Sequence, residues 1–337
     1  MEHEQLDSSS ARPAGRSSLA RQLGWFGGGV ALAVVLALTR DMQAAPAPPG
    51  DTVLWAVDRD AHRLYGLDRD LLIGRSVPVQ RPLDVEATAD GGTWVLRSED
   101  GTSNSTMRLN RHDPRGALIT ELYLERVRDL DIFERMDALV LEHVNGSVRL
   151  ARVREEGSLF PLLVRADLAC VSGSSGSILC GTDTGRILRL DPVSGAVSMD
   201  VPLEGPISDI APGPTPGSAW ALDTRGLGRL YLLAPDLSIR WASGVGFACA
   251  HVAPVPGEER VWIADLNSPR VRRIGPAGVV ELDRQSLPLG GLDRVIPWRD
   301  GGALALAPGA ILHVAMNGNL APGQGGFAWL SDAARVR

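Results

Sequence analysis

Five ionisable residues recur in register along this sequence. Asp84, Asp129, Asp209, His251 and Asp293 each stand 10 or 11 positions before a large apolar residue: Trp94, Leu139, Trp220, Trp262 and Leu304. Carboxylates that converge on one point can hold a hard cation such as Ca²⁺ through oxygen ligands. Asp84, Asp209 and Asp293 are the candidate metal ligands, and His251 beside them could serve as a general base or further ligand. The competing reading, and the stronger one, is structural. An Asp at a strand start accepts backbone N–H groups and fixes one element against the next. Further acids, Asp58, Glu142, Asp223 and Asp265, close the apolar runs. Arginines shortly downstream, Arg63 for Asp58, Arg229 for Asp223 and Arg270 for Asp265, are the expected partners of three of them. A fourth unit breaks the ring, because Leu168 and Ala169 stand where its Asp should be.

Other reactive side chains form no constellation. His62, His143 and His313 share no pattern, which reads as core or surface placement. The sequence contains no Gly-x-Ser-x-Gly elbow, no His-Glu-x-x-His pair and no phosphate-cradling loop. Cys170 and Cys180 flank a Gly173-Ser-Ser-Gly176 turn symmetrically. Two readings are open for them: a disulfide across the two strands, permissible after export, or two small buried thiols. Cys249 is left over in either case.

The elements that must position these residues announce themselves by repetition. Short apolar runs begin at Trp55, Trp94, Leu139, Leu179, Trp220, Trp262 and Leu304, at spacings of 39, 45, 40, 41, 42 and 42 residues. Each unit reads as four short strands separated by turn residues such as Asp90-Gly-Gly and Asp191-Pro-Val-Ser-Gly. This is the pattern of a β-propeller blade, and 38 glycines with 23 prolines suit it. The fold class expected is therefore all-β: a propeller of about seven four-stranded blades spanning 51–337, with six as the alternative. The first unit, 51–79, shows only three strands. Residues 326–332 (GFAWLSD) are expected to supply the missing innermost strand and close the ring.

Within this repeat, the run VWIADLNSPRVRRIGPAG (261–278) resembles an NHL-type propeller repeat, through Asp265, Asn267, Arg270 and Gly278. Pro82 to Val95 looks like the first half of another. The wider group to which the chain is similar includes YVTN and gluconolactonase-like propellers. That resemblance implies a fold more than an activity, since this architecture hosts binding scaffolds, lyases and hydrolases.

The N-terminal segment has a separate character. Residues 22–39 are apolar and free of charge, between Arg12, Arg16 and Arg21 on one side and Arg40 on the other. About eighteen residues just suffice to cross a hydrocarbon core, and the arginine excess predicts the leader 1–21 inside and the rest outside. A signal peptide cut after Ala47 is the alternative; both readings export the propeller, with 40–50 as a Pro/Ala-rich linker. The net charge of −6 comes from arginines alone against the acids, with no basic run and no lysine. That argues against nucleic acid as a partner. The expectation is a membrane-tethered, periplasmic or extracellular binding or scaffold module, for a protein or small polar ligand, with no cofactor required. A metal-dependent hydrolase or lyase using Ca²⁺ is the rival.

Overall fold

The computed structural model describes residues 52–335, apart from 101–105, 175, 247–248, 266–267, 286, 289–291, 293, 322–324, 326 and 328–329. The leader, the expected transmembrane helix at 22–39 and the linker 40–50 lie outside the described residues. Among the described residues no helix is long and apolar enough to cross a membrane.

The described residues form seven four-stranded antiparallel sheets, so the ring has seven blades and the six-bladed alternative falls. Blade 1 comprises 54–78 and one C-terminal strand; blades 2 to 7 occupy 82–124, 126–165, 168–202, 207–244, 249–284 and 294–321. The second strand of each sheet carries the apolar run. Leu54–Asp58, Ala219–Asp223, Val261–Asp265 and Ala303–Ala307 are buried at every position. A strand with a sheet neighbour on each edge and a blade on each face has no solvent side, so it reads as a continuous apolar run. The outermost strands, such as Val197–Pro202, alternate between exposed and half-buried positions, because one edge meets water.

The core is divided in the same way. Seven apolar clusters lie one at each junction between neighbouring blades. Trp55 and Trp94 are fully buried, and each indole N–H donates to a carbonyl in the next blade, Gly91 at 2.9 Å and Met136 at 2.7 Å. Trp220 and Trp241 meet edge to face at 5.3 Å within the blade 5–6 cluster, and Trp262 fills the blade 6–7 cluster. These rings are packing residues between blades.

Closure is made by the C-terminus, a few residues later than the sequence suggested. The innermost strand of blade 1 is Leu330–Arg335, antiparallel to Leu54–Asp58, instead of 326–332. Phe327 still contributes, edge to face with Tyr65 at 5.4 Å in the blade 7–1 cluster. Removing residues 326–337 would strip one edge of blade 1 and open two junctions. The expected result is loss of the cooperative thermal transition, since the lost burial rivals the roughly 5–15 kcal/mol that holds a domain folded. Near-ultraviolet circular dichroism of the truncated chain checks this; a native-like melt would show that the strand is dispensable.

Candidate functional site at the propeller axis

The seven innermost strands run along the axis, and their register with the second strands defines one equivalent position per blade. Opposite the second residue after each apolar marker stand Asp332, Asp84, Asp129, Cys170, Asp209 and Arg294, in blades 1, 2, 3, 4, 5 and 7. In blade 6 the pairs Cys249–Asp265 and Val252–Ile263 bracket His251 into the same position. Sequence spacing therefore placed Asp84, Asp129, Asp209 and His251 correctly in register with one another. It missed Asp332 and Arg294, and it misplaced two blades. Cys170, not Leu168 or Ala169, fills the blade 4 position. In blade 7 the position belongs to Arg294; Asp293 lies outside the described residues.

The local cause of this arrangement is a bulge. In blades 2, 3, 4 and 5 the register shifts just before the axial residue, leaving Leu83, Arg128, Ala169 and Ser208 without a partner on the second strand. A bulge bends its strand and re-aims the neighbouring side chain. The axial carboxylate then reaches two kinds of backbone donor. Oδ1 of Asp84 and of Asp209 accepts the N–H of the following residue, both at 2.8 Å. The other oxygen crosses to the next blade: Asp332 to Val85 N at 2.9 Å, Asp129 to Val171 N at 2.7 Å, Asp209 to Val252 N at 2.6 Å. Two residues further along, Asp131 repeats the pattern, with Ile132 N at 2.7 Å and Gly173 N of blade 4 at 2.8 Å. Asp332, Asp129, Asp131 and Asp209 are thus ties between successive innermost strands.

Charge is distributed unevenly around the axis. Where blades 7, 1 and 2 meet, Arg294 lies 2.6 Å from Asp332, 2.8 Å from Glu86 and 3.7 Å from Asp84. Burial pushes Asp84 well above the usual carboxylate range, and the Asp332 charge adds to it. Burial also lifts Glu86 to about 7, although Arg294 opposes it. Burial would raise Asp332 too, but Arg294 and a hydrogen bond from Asp84 hold it below its ordinary value. Burial and the Asp332 charge thus favour the protonated form of Asp84, while Arg294 favours the ionised form of Asp332. Across the axis, burial raises Asp129 well above its ordinary value, with Asp209 and Asp131 contributing. His251 is 43% exposed, and its Nδ1 lies 3.7 Å from Asp209.

Beside Asp84 the Arg294 guanidinium already supplies positive charge, and Asp293, the third expected ligand, lies outside the described residues. Among the described residues no group of three or more His, Cys, Asp or Glu could hold a metal ion. The strand-end acids and their expected arginines also make other contacts, although the Asp265 charge still acts on Arg270. Arg229 pairs with Glu204, and Arg270 with Asp283 on the outermost strand. Asp223 takes the Tyr231 hydroxyl at 2.9 Å, and Asp265 takes the Ser268 hydroxyl at 2.6 Å. The cross-strand disulfide is overturned. Cys170 is opposite Gly181 and Cys180 is opposite Val171, so the two thiols point to opposite faces of the blade 4 sheet. Cys170 joins the blade 4–5 cluster and Cys180 the blade 3–4 cluster, and both are free. Gly181 makes room for the first: a Cβ there would stand 2.6 Å from the Cys170 sulfur.

One further feature borders the axis at the beginning of the blade 3 innermost strand, Arg126–Phe133. An open hollow of about 430 Å³ is lined by Arg126, Val127, Arg128 and His143.

The raised carboxylates make stability depend on pH. Glu86 titrates near its ordinary value when unfolded and at about 7 when folded, so the folded state is favoured below about pH 4.5 and loses that advantage as pH rises through 7. Asp84 acts in the same direction; the Asp332 effect falls below this window. Urea unfolding is expected to give a stability lower by about 3 kcal/mol at pH 8 than at pH 5 from Glu86 alone. Glu86→Gln, which keeps an acceptor for Arg294, should remove that part of the slope. A slope unchanged in the variant would assign the dependence elsewhere.

The comparisons with known proteins bear on the fold. No family model matches the chain, and no curated protein matches it. Similar solved structures include a functionally unknown protein from Desulfotomaculum acetoxidans (12% identity, TM-score 0.67, covering 84% of this chain and 98% of that one). A putative 6-phosphogluconolactonase from Bacteroides uniformis is similar at 12% identity and TM-score 0.63, over 84% and 99% of the two chains. The dihydro-heme d1 dehydrogenase NirN, in complex with DHE, is similar at 12% identity and TM-score 0.60, over 88% and 76%. At this identity the likeness shows a shared β-propeller fold alone, and the finer NHL-type resemblance has no matching family model behind it.

Proposed function

We propose that this chain is a binding or scaffold module, tethered to a membrane by residues 22–39 and displayed on the outer side. The observation that supports it most is the use of the axial carboxylates. Oxygens of Asp332, Asp129, Asp131 and Asp209 accept N–H groups from the following blade, and Asp84, Glu86 and Asp332 surround Arg294. Groups engaged in holding a ring shut are poorly free to change protonation or ligand during a reaction. A rigid disc with loops on its faces is suited to present surfaces to a partner. The ligand-contacting role of Asp84, Asp129, Asp209, His251 and Asp293 belongs to this reading as the floor of the face that a protein or small polar ligand would meet.

A second reading has one observation in its favour. His251 and Asp209 form a half-exposed imidazole–carboxylate pair at the axis, the combination that a general base needs. In a metal-dependent hydrolase or lyase, the class suggested by the lactonase-like neighbour, these two would be its acid–base groups.

Two measurements separate the readings. Metal analysis of the full chain after dialysis, with melts in the presence and absence of chelator, is expected to give no stoichiometric Ca²⁺ and no shift in Tm. One tightly held Ca²⁺ per chain would favour the enzyme and make His251→Ala the next variant to assay. Carbonate washing of membranes from cells producing the full chain tests the tether: the protein should stay in the pellet. Release into the wash would show that the segment 22–39 does not anchor it.

A further inference from the structure

We infer that the hollow beside the start of the blade 3 innermost strand is a binding site for a small, multiply charged oxyanion, held by Arg126, Arg128 and His143. The site deepens the reading of this chain as a binding module and rests on it.

The first argument is the accumulation of like charge. Arg126 and His143 are directly opposite each other in the antiparallel ladder, a placement that disfavours two cations. Arg128 occupies the bulge between Val127 and Asp129. The corresponding bulge residues in blades 2, 4 and 5 are Leu83, Ala169 and Ser208, which carry no charge. The position of His143 is taken by Ser98, Asp183 and Thr224 in those same blades. Blade 3 alone among these gathers three basic groups around one concavity.

The second argument is that, among the described residues, no carboxylate is paired with these three groups. The nearest acid on the His143 strand, Glu142, is turned to the other face and paired with Arg149 of the next strand. Its second oxygen accepts the backbone N–H of Glu125. Asp129, next to Arg128, is tied to Val171 N in blade 4. The charged groups acting on His143 are Arg126 and Arg128, both of which, after burial, hold its pKa below the ordinary value. Among the described residues none of the three takes part in an ion pair with a carboxylate.

The third argument is preorganisation. Nη1 of Arg128 donates to the Leu168 carbonyl of blade 4 at 2.9 Å. That bond tethers one edge of an otherwise exposed guanidinium and leaves its other N–H groups for a ligand. Guanidinium groups match the two-oxygen edge of a carboxylate or of a tetrahedral oxyanion. A hollow of about 430 Å³ is in the range of small-ligand sites. The shared chemistry is therefore an oxyanion of two or more charges, either tetrahedral or a polycarboxylate.

Protonation of His143 must couple to occupancy. An anion between the three groups neutralises the arginines and stabilises the imidazolium, so binding strengthens as pH falls. Titration calorimetry on the full chain in detergent, at constant ionic strength set by NaCl, tests this with sulfate and with citrate as separate probes. At least one should bind with 1:1 stoichiometry; sulfate alone points to a tetrahedral ligand, citrate alone to a polycarboxylate. Binding should weaken about tenfold or more in Arg126→Ser/Arg128→Ser and stay unchanged in Arg115→Gln, which lies on a distant turn. Sulfate, whose charge is constant across the range, should bind about fivefold more tightly at pH 6 than at pH 8 if it is the preferred probe. The His143 ring resonance, assigned with His143→Gln, should titrate at a higher pH when the binding probe is present. Heat no greater than that of matched NaCl, equal affinity in the double variant, or an unmoved His143 titration would each overturn the site. The resonance measurement decides should the double variant fail to fold. None of these failures would alter the outcome expected for the metal analysis or the membrane wash, so the site can fall without the broader reading falling with it.

Discussion

A blade of this protein is a sheet with two apolar faces and no means of burying either one alone. Everything else in the ring follows from that constraint. Each second strand is buried along most or all of its length because blades press on both sides of it, and seven junctions require seven clusters. A linear stack would leave two faces wet, so the stack must close. Closure joins the two ends of the described chain: Leu330–Arg335 completes the sheet that Leu54–Asp58 began. The contact between first and last blades is thus made of covalently remote segments, and its formation carries the loop-closure entropy of the whole domain. It is where the strongest polar interactions would be most useful. Arg294 of blade 7, Asp332 of blade 1 and Asp84 and Glu86 of blade 2 meet there.

The axial carboxylates solve a second problem created by the first. Innermost strands have no hydrogen-bonding neighbour on their inner edge, so some of their N–H groups face the axis unpaired. An unpaired buried N–H costs roughly 1–3 kcal/mol. A short acidic side chain on the preceding blade supplies the acceptor, as Asp332, Asp129 and Asp209 do for Val85, Val171 and Val252. The bulge before each one aims it. In this light a ring of aspartates is what a propeller needs in order to satisfy its own backbone, and its presence alone says little about catalysis.

Much of this was legible in the sequence because the fold repeats. The near-constant spacing of the apolar runs pointed to four strands in each unit and to about seven units, and the recurrence of Asp84, Asp129 and Asp209 before their markers reflected a true common position. The errors arose where the count crossed a turn of variable length. The turn between first and second strands is one residue shorter in blade 7 than in blade 6, so counting eleven back from Leu304 arrives at Asp293, whereas the ladder pairs Arg294 with Leu306. In blade 4 the turn is shorter again, and the axial residue is Cys170. The two cysteines looked symmetric about a hairpin, but symmetry along the chain does not determine sheet face. One register step moved them to opposite sides. Ion pairs were the least legible of all: an arginine side chain is long enough to reach past the acid across the ladder, as Arg229 does to Glu204, and Arg270 adds Asp283 on the outermost strand to the Asp265 it stands beside. Arg126, Arg128 and His143 could have been found only by asking which charged residues fall in a bulge.

The uneven charge around the axis has a physical consequence of its own. Asp84, Glu86, Asp129, Asp131, Asp209 and Asp332 share the axis with one arginine and one histidine among the described residues. Arg294 favours the ionised form of its closest partner, Asp332, while burial favours the protonated form of Asp84; burial, with Asp209 and Asp131 nearby, raises Asp129 as well. Full ionisation would place several charges in a volume where each desolvated carboxylate costs several kcal/mol. Protonation of some of these acids relieves that cost, and the backbone N–H ties tolerate both forms, because a protonated carboxyl keeps an acceptor oxygen. A site built to bind a divalent cation has the opposite requirement, with every ligand oxygen ionised and none spent on a neighbouring strand. The positive rim at Arg126, Arg128 and His143 stands against this background as a place beside the axis where, among the described residues, basic groups have no carboxylate partner.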